Sequence, residues 1–232
     1  MSVDFAALLR RAAVASPLPF ALNARRCHRL DLSAANPALK ALDPGETPAF
    51  SAFVRQQIAA AGADYAAGGY GENRALYAMS KVFKPAEGEP RTLHLGIDLW
   101  LPAGTAIHAV LPGVLHSAQD NAAFGDYGPT LIFEHVLEGQ RFYTLYGHLS
   151  RPTLARLRPG TAVAAGAQIG WLGVEQENVG WPPHLHFQII RELGGRSGDY
   201  PGVCAIGDAA EWLALCPNPN LLLRIQALEP SL

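Results

Sequence analysis

A chain of 232 residues has room for one domain with a substantial core plus an arm or small second lobe, and excludes two large domains. With 49% hydrophobic and 16% charged residues it is too apolar to be held disordered by charge, so it is expected to fold unaided. Eighteen Lys and Arg against twenty Asp and Glu give a net charge of -2 with no basic block, which excludes a phosphate-neutralising surface and nucleic acid as a partner.

From the N-terminus, Arg10 and Arg11 are followed by only five small residues before Pro17, so Met1 to Leu22 lacks the apolar stretch of a signal peptide. No run approaches the roughly twenty apolar residues that span a bilayer, and the expectation is a cytoplasmic protein with no membrane partner. Phe5, Leu8, Leu9 and Ala12 recur at helical spacing, as do Phe53, Val54 and Ile58 within Phe50 to Ala61. Asp31 to Pro48 reads as an extended connection and Gly68 to Glu72 as a turn, so residues 1–85 form a mainly helical N-terminal extension.

After Pro90 short apolar runs alternate with Pro-Gly, Ala-Gly and Glu-Gly pairs, the pattern of an antiparallel sheet of short strands over residues 86–192. Leu131 to Val136 and Arg141 to His148 flank a tight turn at Leu137-Glu138-Gly139-Gln140, which predicts a hairpin. Leu157 to Leu172 has the look of another pair of short strands. Residues 193–232 are irregular and end in an apolar tail expected to pack on the sheet. Cys27, Cys204 and Cys216 are odd in number and far apart, and are expected to be reduced, partly buried thiols rather than metal ligands.

The chemistry concentrates in two short segments. In His94-Leu95-Gly96-Ile97-Asp98 the Gly, the β-branched Ile and the nearby Pro102 favour a strand, on which His94, Gly96 and Asp98 share one face with room for an ion over the Gly. His184-Leu185-His186-Phe187 likewise turns two imidazoles to one face and two apolar anchors to the other. A His, an Asp and a second His make a three-ligand zinc site, which keeps a fourth position for water. Zinc lowers the pKa of that water to about 7, and a mixed nitrogen and oxygen set disfavours iron-sulfur or copper(I). Whichever His of the pair binds the metal, its neighbour lies roughly 7 Å along the strand, where a general base is needed. His148, in Tyr146-Gly147-His148-Leu149, is a candidate to donate to an oxyanion, with Tyr146 the weaker alternative.

These motifs, with Pro102-Ala103-Gly104-Thr105 and Pro183 before the second pair, resemble the lysostaphin-type (LytM-like) zinc endopeptidases, which cut peptidoglycan cross-links or interpeptide bridges. The resemblance runs from about Leu93 to Ile190. It implies a mainly β fold, a twisted antiparallel β-sandwich with a groove, here with a helical N-terminal extension. It implies that His94, Asp98 and His186 bind one zinc ion per chain and that His184 and His148 are catalytic. Gly160, Val163, Gly166, Ile169 and Gly170 resemble the family's turn-rich segment. Gly69 to Arg74, Asp126 to Pro129 and Asn178 to Pro182 look like a branch of the family that also occurs fused to small-molecule kinase-like and aminotransferase domains.

The function implied is a zinc metallopeptidase acting on a peptide or peptide-like substrate. The alternatives are a non-catalytic metal-binding or regulatory module of the same fold, a hydrolase of a small cytoplasmic amide, and a phosphocarrier using the paired histidines, which Asp98 disfavours. His28, His108, His116 and His135 read as ordinary histidines. Trp181 is expected to line the groove, whereas Trp100, Trp171 and Trp212 read as core. Asn121 and Asp126 read equally as substrate contacts and turn formers, and Glu72 and Arg74 as ties between arm and domain. The extension itself is expected either to cover the groove or to form a homo-oligomer interface.

Overall fold

The computed structural model describes residues 4–41, 47–74, 89–123, 125–178 and 180–229. In chain order these form α1 (Phe5–Arg11), β1 (Cys27–Arg29), α2 (Thr47–Ala60), β2 (Tyr65–Gly68), β3 (Arg91–His94) and β4 (Ile97–Trp100). There follow β5 (Ala106–His108), β6 (Gly113–Asn121), β7 (Gly128–Leu137), β8 (Gln140–Gly147), α3 (Arg151–Leu154), β9 (Ala162–Val163) and β10 (Gln168–Trp171). β11 (His184–Ile190), β12 (Val203–Ala205), α4 (Ala209–Leu215) and α5 (Asn220–Leu223) complete the set.

Both expected helices form. Asp4 caps the first by accepting from the backbone N–H groups of Ala6 and Ala7, and Phe5, Leu8 and Leu9 are its buried face. Phe5 meets Phe142 of β8 edge-on at 5.4 Å, so this apolar stripe is buried in the chain's own core. The segment is not only helical, however: β1 and β2 pair in parallel, and β2 joins the main sheet beside β4 with Gly68 opposite Asp98.

The sheet has eight strands in the order β1-β2-β4-β11-β8-β7-β6-β9, antiparallel throughout except for β1 and β2. The expected hairpin is β7 and β8, with Leu137 paired to Gln140. Glu138 and Gly139 between them have φ of 46° and 76°, the two left-handed residues that a twist-matched two-residue turn requires. The pair of strands expected within Leu157 to Leu172 also forms, but as β9 and β10 they do not pair with each other. β9 extends the main sheet beside β6, and β10 pairs with β5. Ile107 of β5 and Ile169 of β10 pack in the same cluster as Leu131, Phe133, Tyr146 and Phe187 of the large sheet, which gives a two-layer β arrangement.

Strand alternation divides the two faces of the large sheet. Leu185, Phe187 and Ile189 of β11, with Ile97 and Leu99 of β4, point into the main core, which the tail residues Leu222, Leu223 and Ile225 also enter. The opposite face holds His184 and His186 between two smaller clusters. One joins Leu30, Leu32, Phe50 and Val54 to Trp100, and the other joins Leu95, Tyr127 and Leu145 to Tyr200 and Cys216. The three cysteines are free, Cys27 half-buried and the others buried. No helix among the described residues is long and apolar enough to cross a membrane.

Candidate metal centre

The register of β4 against β11 sets His186 opposite Asp98 and His184 opposite Trp100. His94 arrives differently from the expectation. His94 to Asp98 is not one strand: β3 ends at His94, β4 begins at Ile97, and β3 pairs instead with β12. Glycine is required at the break, since a Cβ on Gly96 would lie 2.6 Å from His186 Nε2 and 3.0 Å from the Phe187 carbonyl oxygen. The space over Gly96 is therefore filled by the His186 ring rather than kept for an ion.

Hydrogen bonds outside the cluster fix both imidazole tautomers. A carbonyl only accepts, so the 3.1 Å contact of His94 Nδ1 with the Gly69 carbonyl places the proton on Nδ1. The Gln188 amide donates to the Pro201 carbonyl at 3.1 Å and to Cys216 Sγ at 3.3 Å, which turns its Oε1 to His186 Nε2 at 2.9 Å. His186 therefore carries its proton on Nε2.

The inward atoms are then His94 Nε2, His186 Nδ1 and Asp98 Oδ1, separated by 3.0, 3.1 and 3.3 Å. Three lone pairs facing one another at this range repel, and a shared cation would relieve that repulsion. A proton is a poor substitute, because burial first and Arg74 second push His94 down to about 3. Burial works to raise the Asp98 carboxyl, yet His94, Arg74 and His184 beside it outweigh burial and hold it well below the usual carboxylate range. Two imidazole nitrogens and one carboxylate oxygen form a donor set that suits zinc, and these are the ligand-bearing residues that cluster closely among the described residues.

His184 and His148 stand next to this cluster. His184 Nδ1 donates to the Pro182 carbonyl at 2.7 Å, which leaves the Nε2 lone pair 3.9 Å from Asp98 Oδ1. Its ring lies between Trp100, stacked at 4.2 Å, and His148 at 4.0 Å. Burial lowers His184 to about 4 even though Asp98 works to raise it, so the imidazole is neutral at neutral pH. Burial, then His184 and His186, hold His148 well below its ordinary value.

Simple alternation would send His148 to the same face as Tyr146. Instead β8 ends at Gly147, His148 has a φ of 61°, and this left-handed step turns its ring toward His184. Tyr146 points the other way: its hydroxyl accepts from the Val110 N–H at 2.9 Å inside the main core, which removes it as an oxyanion donor.

The pocket around these groups has a cavity volume of about 140 Å3. Leu32, Phe50, Trp100 and Trp181 form an apolar wall, and Arg91, Asp126 and Asp199 a polar one. Trp181 thus lines the pocket as expected, joined by Trp100. Asp126 lines it too, whereas Asn121 is bonded to Thr130 and to the Gly198 carbonyl. His116 and His135 are satisfied locally, by Ser117 and by Pro112 and Thr144.

The roles of three residues at the site escaped the sequence reading. Gln188 shares the face of His184 and His186 by strand alternation, so a signal existed. Tyr127, 5.0 Å from the His186 ring, and Arg74, on Asp98, come from loops with no periodic signal.

Residues 92–198 match peptidase family M23. Among solved structures, the chain is similar to a zinc containing peptidase from Vibrio cholerae at 22% identity, covering 47% of this chain and 34% of that one, with a TM-score of 0.35. It is similar to the antimicrobial peptidase lysostaphin from Staphylococcus simulans at 18% identity, covering 64% and 50%, with a TM-score of 0.38. A mutant catalytic domain of the prophage-encoded M23 protein EnpA from Enterococcus faecalis shows 27% identity, covering 51% and 84%, with a TM-score of 0.35. The chain thus spans a third to a half of the length of the first two.

Proposed function

We propose that the chain, whose residues 92–198 match peptidase family M23, is a zinc-dependent hydrolase of the lysostaphin type cleaving an amide bond in a peptide or peptide-like substrate. The observation that carries this reading is the convergence of three lone pairs, on His94 Nε2, His186 Nδ1 and Asp98 Oδ1, whose tautomers are fixed from outside. These three residues would hold one zinc ion per chain. Bound there, zinc would supply a water that is nucleophilic at neutral pH and would polarise the amide carbonyl.

His184 acts as the general base. Its proton on Nδ1 is tied to Pro182, so Nε2 accepts the proton from the attacking water and returns it to the departing amine. His148 donates to the oxyanion of the tetrahedral intermediate, a contribution of about 3 kcal/mol in comparable sites. The wall of Leu32, Phe50, Trp100 and Trp181 beside the polar cluster suits a substrate with an apolar group next to the scissile amide. Two of those wall residues, Leu32 and Phe50, precede the family segment.

The test is hydrolysis of a library of short peptides and N-acyl amides by the zinc-loaded chain, with products identified by mass spectrometry. His184→Ala is expected to lower kcat at least about 100-fold while zinc stays bound. Turnover that survives zinc removal, or that His184→Ala leaves unchanged, contradicts the mechanism. Zinc binding with no hydrolysis of any amide favours the regulatory module instead.

A further inference from the structure

We propose that Arg74 is a positioning residue of the metal centre, holding the Asp98 carboxylate so that Oδ1 alone is turned to His94 and His186. The inference rests on the zinc reading of the same site. The two carboxylate oxygens are used separately: Oδ2 accepts from Arg74 Nη1 at 2.6 Å, while Oδ1 lies 3.1 Å from His186 Nδ1 and 3.3 Å from His94 Nε2. A carboxylate gripped at one oxygen has a fixed plane and a single oxygen to offer.

Arg74 is itself gripped. Its Nε donates to Glu72 Oε2 at 2.7 Å, and Glu72 Oε1 accepts from the Leu32 N–H at 3.1 Å. The backbone of the same segment clamps β3: Gly71 N–H donates to the His94 carbonyl, His94 N–H to the Glu72 carbonyl, and Arg74 N–H to the Thr92 carbonyl, at 2.9, 3.0 and 2.9 Å. With the Gly69 carbonyl on His94 Nδ1, residues 69–74 orient both His94 and Asp98. All six lie before residue 92, where the family match begins.

A mere tie between arm and domain fits these facts poorly. Arg74 and Asp98 are both almost fully buried, with side-chain exposures of 2% and 1%. Burying a guanidinium is costly, and such a pair is poorly explained by stability alone. It is explained where the charge has to hold one particular carboxylate geometry, since a planar fork sets direction as well as charge.

The experiment compares full-length wild type, Arg74→Met, Arg74→Lys and Glu72→Gln by zinc titration against a competing fluorescent chelator, with thermal unfolding as a control on folding. Arg74→Met is expected to weaken zinc binding about 10- to 100-fold, the usual effect of removing a partner of a metal ligand. Arg74→Lys should recover part of that loss, and Glu72→Gln, which leaves the guanidinium but loosens its anchor, should fall between. Zinc affinity of Arg74→Met within twofold of wild type, with only the unfolding temperature lowered, overturns the inference and leaves the peptidase reading intact. Should Arg74→Met not fold, an unchanged zinc affinity in Glu72→Gln overturns it equally. A wild-type chain that takes up no zinc overturns both.

Discussion

At the scale of single residues, the site depends on which nitrogen of each imidazole carries its proton, and the groups that decide this are not ligands themselves. Gln188 holds the proton of His186 on Nε2. Gln188→Leu, of similar size, removes the acceptor, and zinc binding is expected to weaken about 10- to 100-fold with the fold retained. A chelator competition titration checks it, and unchanged affinity would show that the tautomer needs no such support. His148→Ala should lower kcat about 100- to 1,000-fold and spare KM, as loss of an oxyanion donor does. Period-two alternation made the spacing of His184 and His186 legible from sequence, and it held Gln188 as well. The ring direction of His148 was not legible, because a left-handed φ at a non-glycine residue overrides alternation without a sequence mark. Nor was the role of Arg74, whose partner lies 24 positions away.

At the scale of elements, the interrupted strand decides the geometry. His94 pairs through β3 with β12, Asp98 through β4 with β2 and β11, and the bend at Leu95-Gly96 lets two different pairings deliver ligands to one point. Gly96→Ala would drive a methyl group into the His186 ring, so it is expected to lose zinc even where the chain still folds. Circular dichroism with elemental analysis separates those two effects. The hairpin and both helices were legible because each is local: a turn dipeptide between alternating runs, and apolar residues at helical spacing. The partners of β9 and β10 were not, since pairing across the fold leaves no trace in either strand. α2 serves the site through Phe50, which meets Trp100 and Trp181 edge-on at 6.0 and 6.1 Å. Phe50→Ala is expected to cost about 3 kcal/mol or more in stability. It should also raise KM for apolar substrates while leaving zinc bound, which steady-state kinetics would show.

Across the whole molecule, the N-terminal segment is part of the site's construction, because it supplies β1 and β2 to the sheet, Phe50 to the wall and Arg74 to Asp98. Stability should also follow the buried histidines as pH falls. Burial holds His94 at about 3, His184 at about 4 and His148 well below its usual value, whereas each titrates near 6.5 when unfolded. Below that pH the unfolded chain binds protons that the folded chain refuses, so stability falls by up to about 1.4 kcal/mol per pH unit for each group. Asp98 acts in the same sense at lower pH: its folded pKa is depressed, so the stability it contributes above 3.8 is lost as pH drops through the folded value. Unfolding temperatures of the zinc-free chain, recorded from pH 7.5 to 5 in the presence of a chelator, should decline steadily, and a flat profile would contradict neutral buried imidazoles. The central claim is the metal centre itself, and zinc content by elemental analysis tests it most directly. About one zinc per wild-type chain, and a strong reduction in each of His94→Ala, Asp98→Ala and His186→Ala, is the result expected for a three-ligand site. A wild type that holds no zinc after it is supplied, or variants that all keep it, would contradict the account.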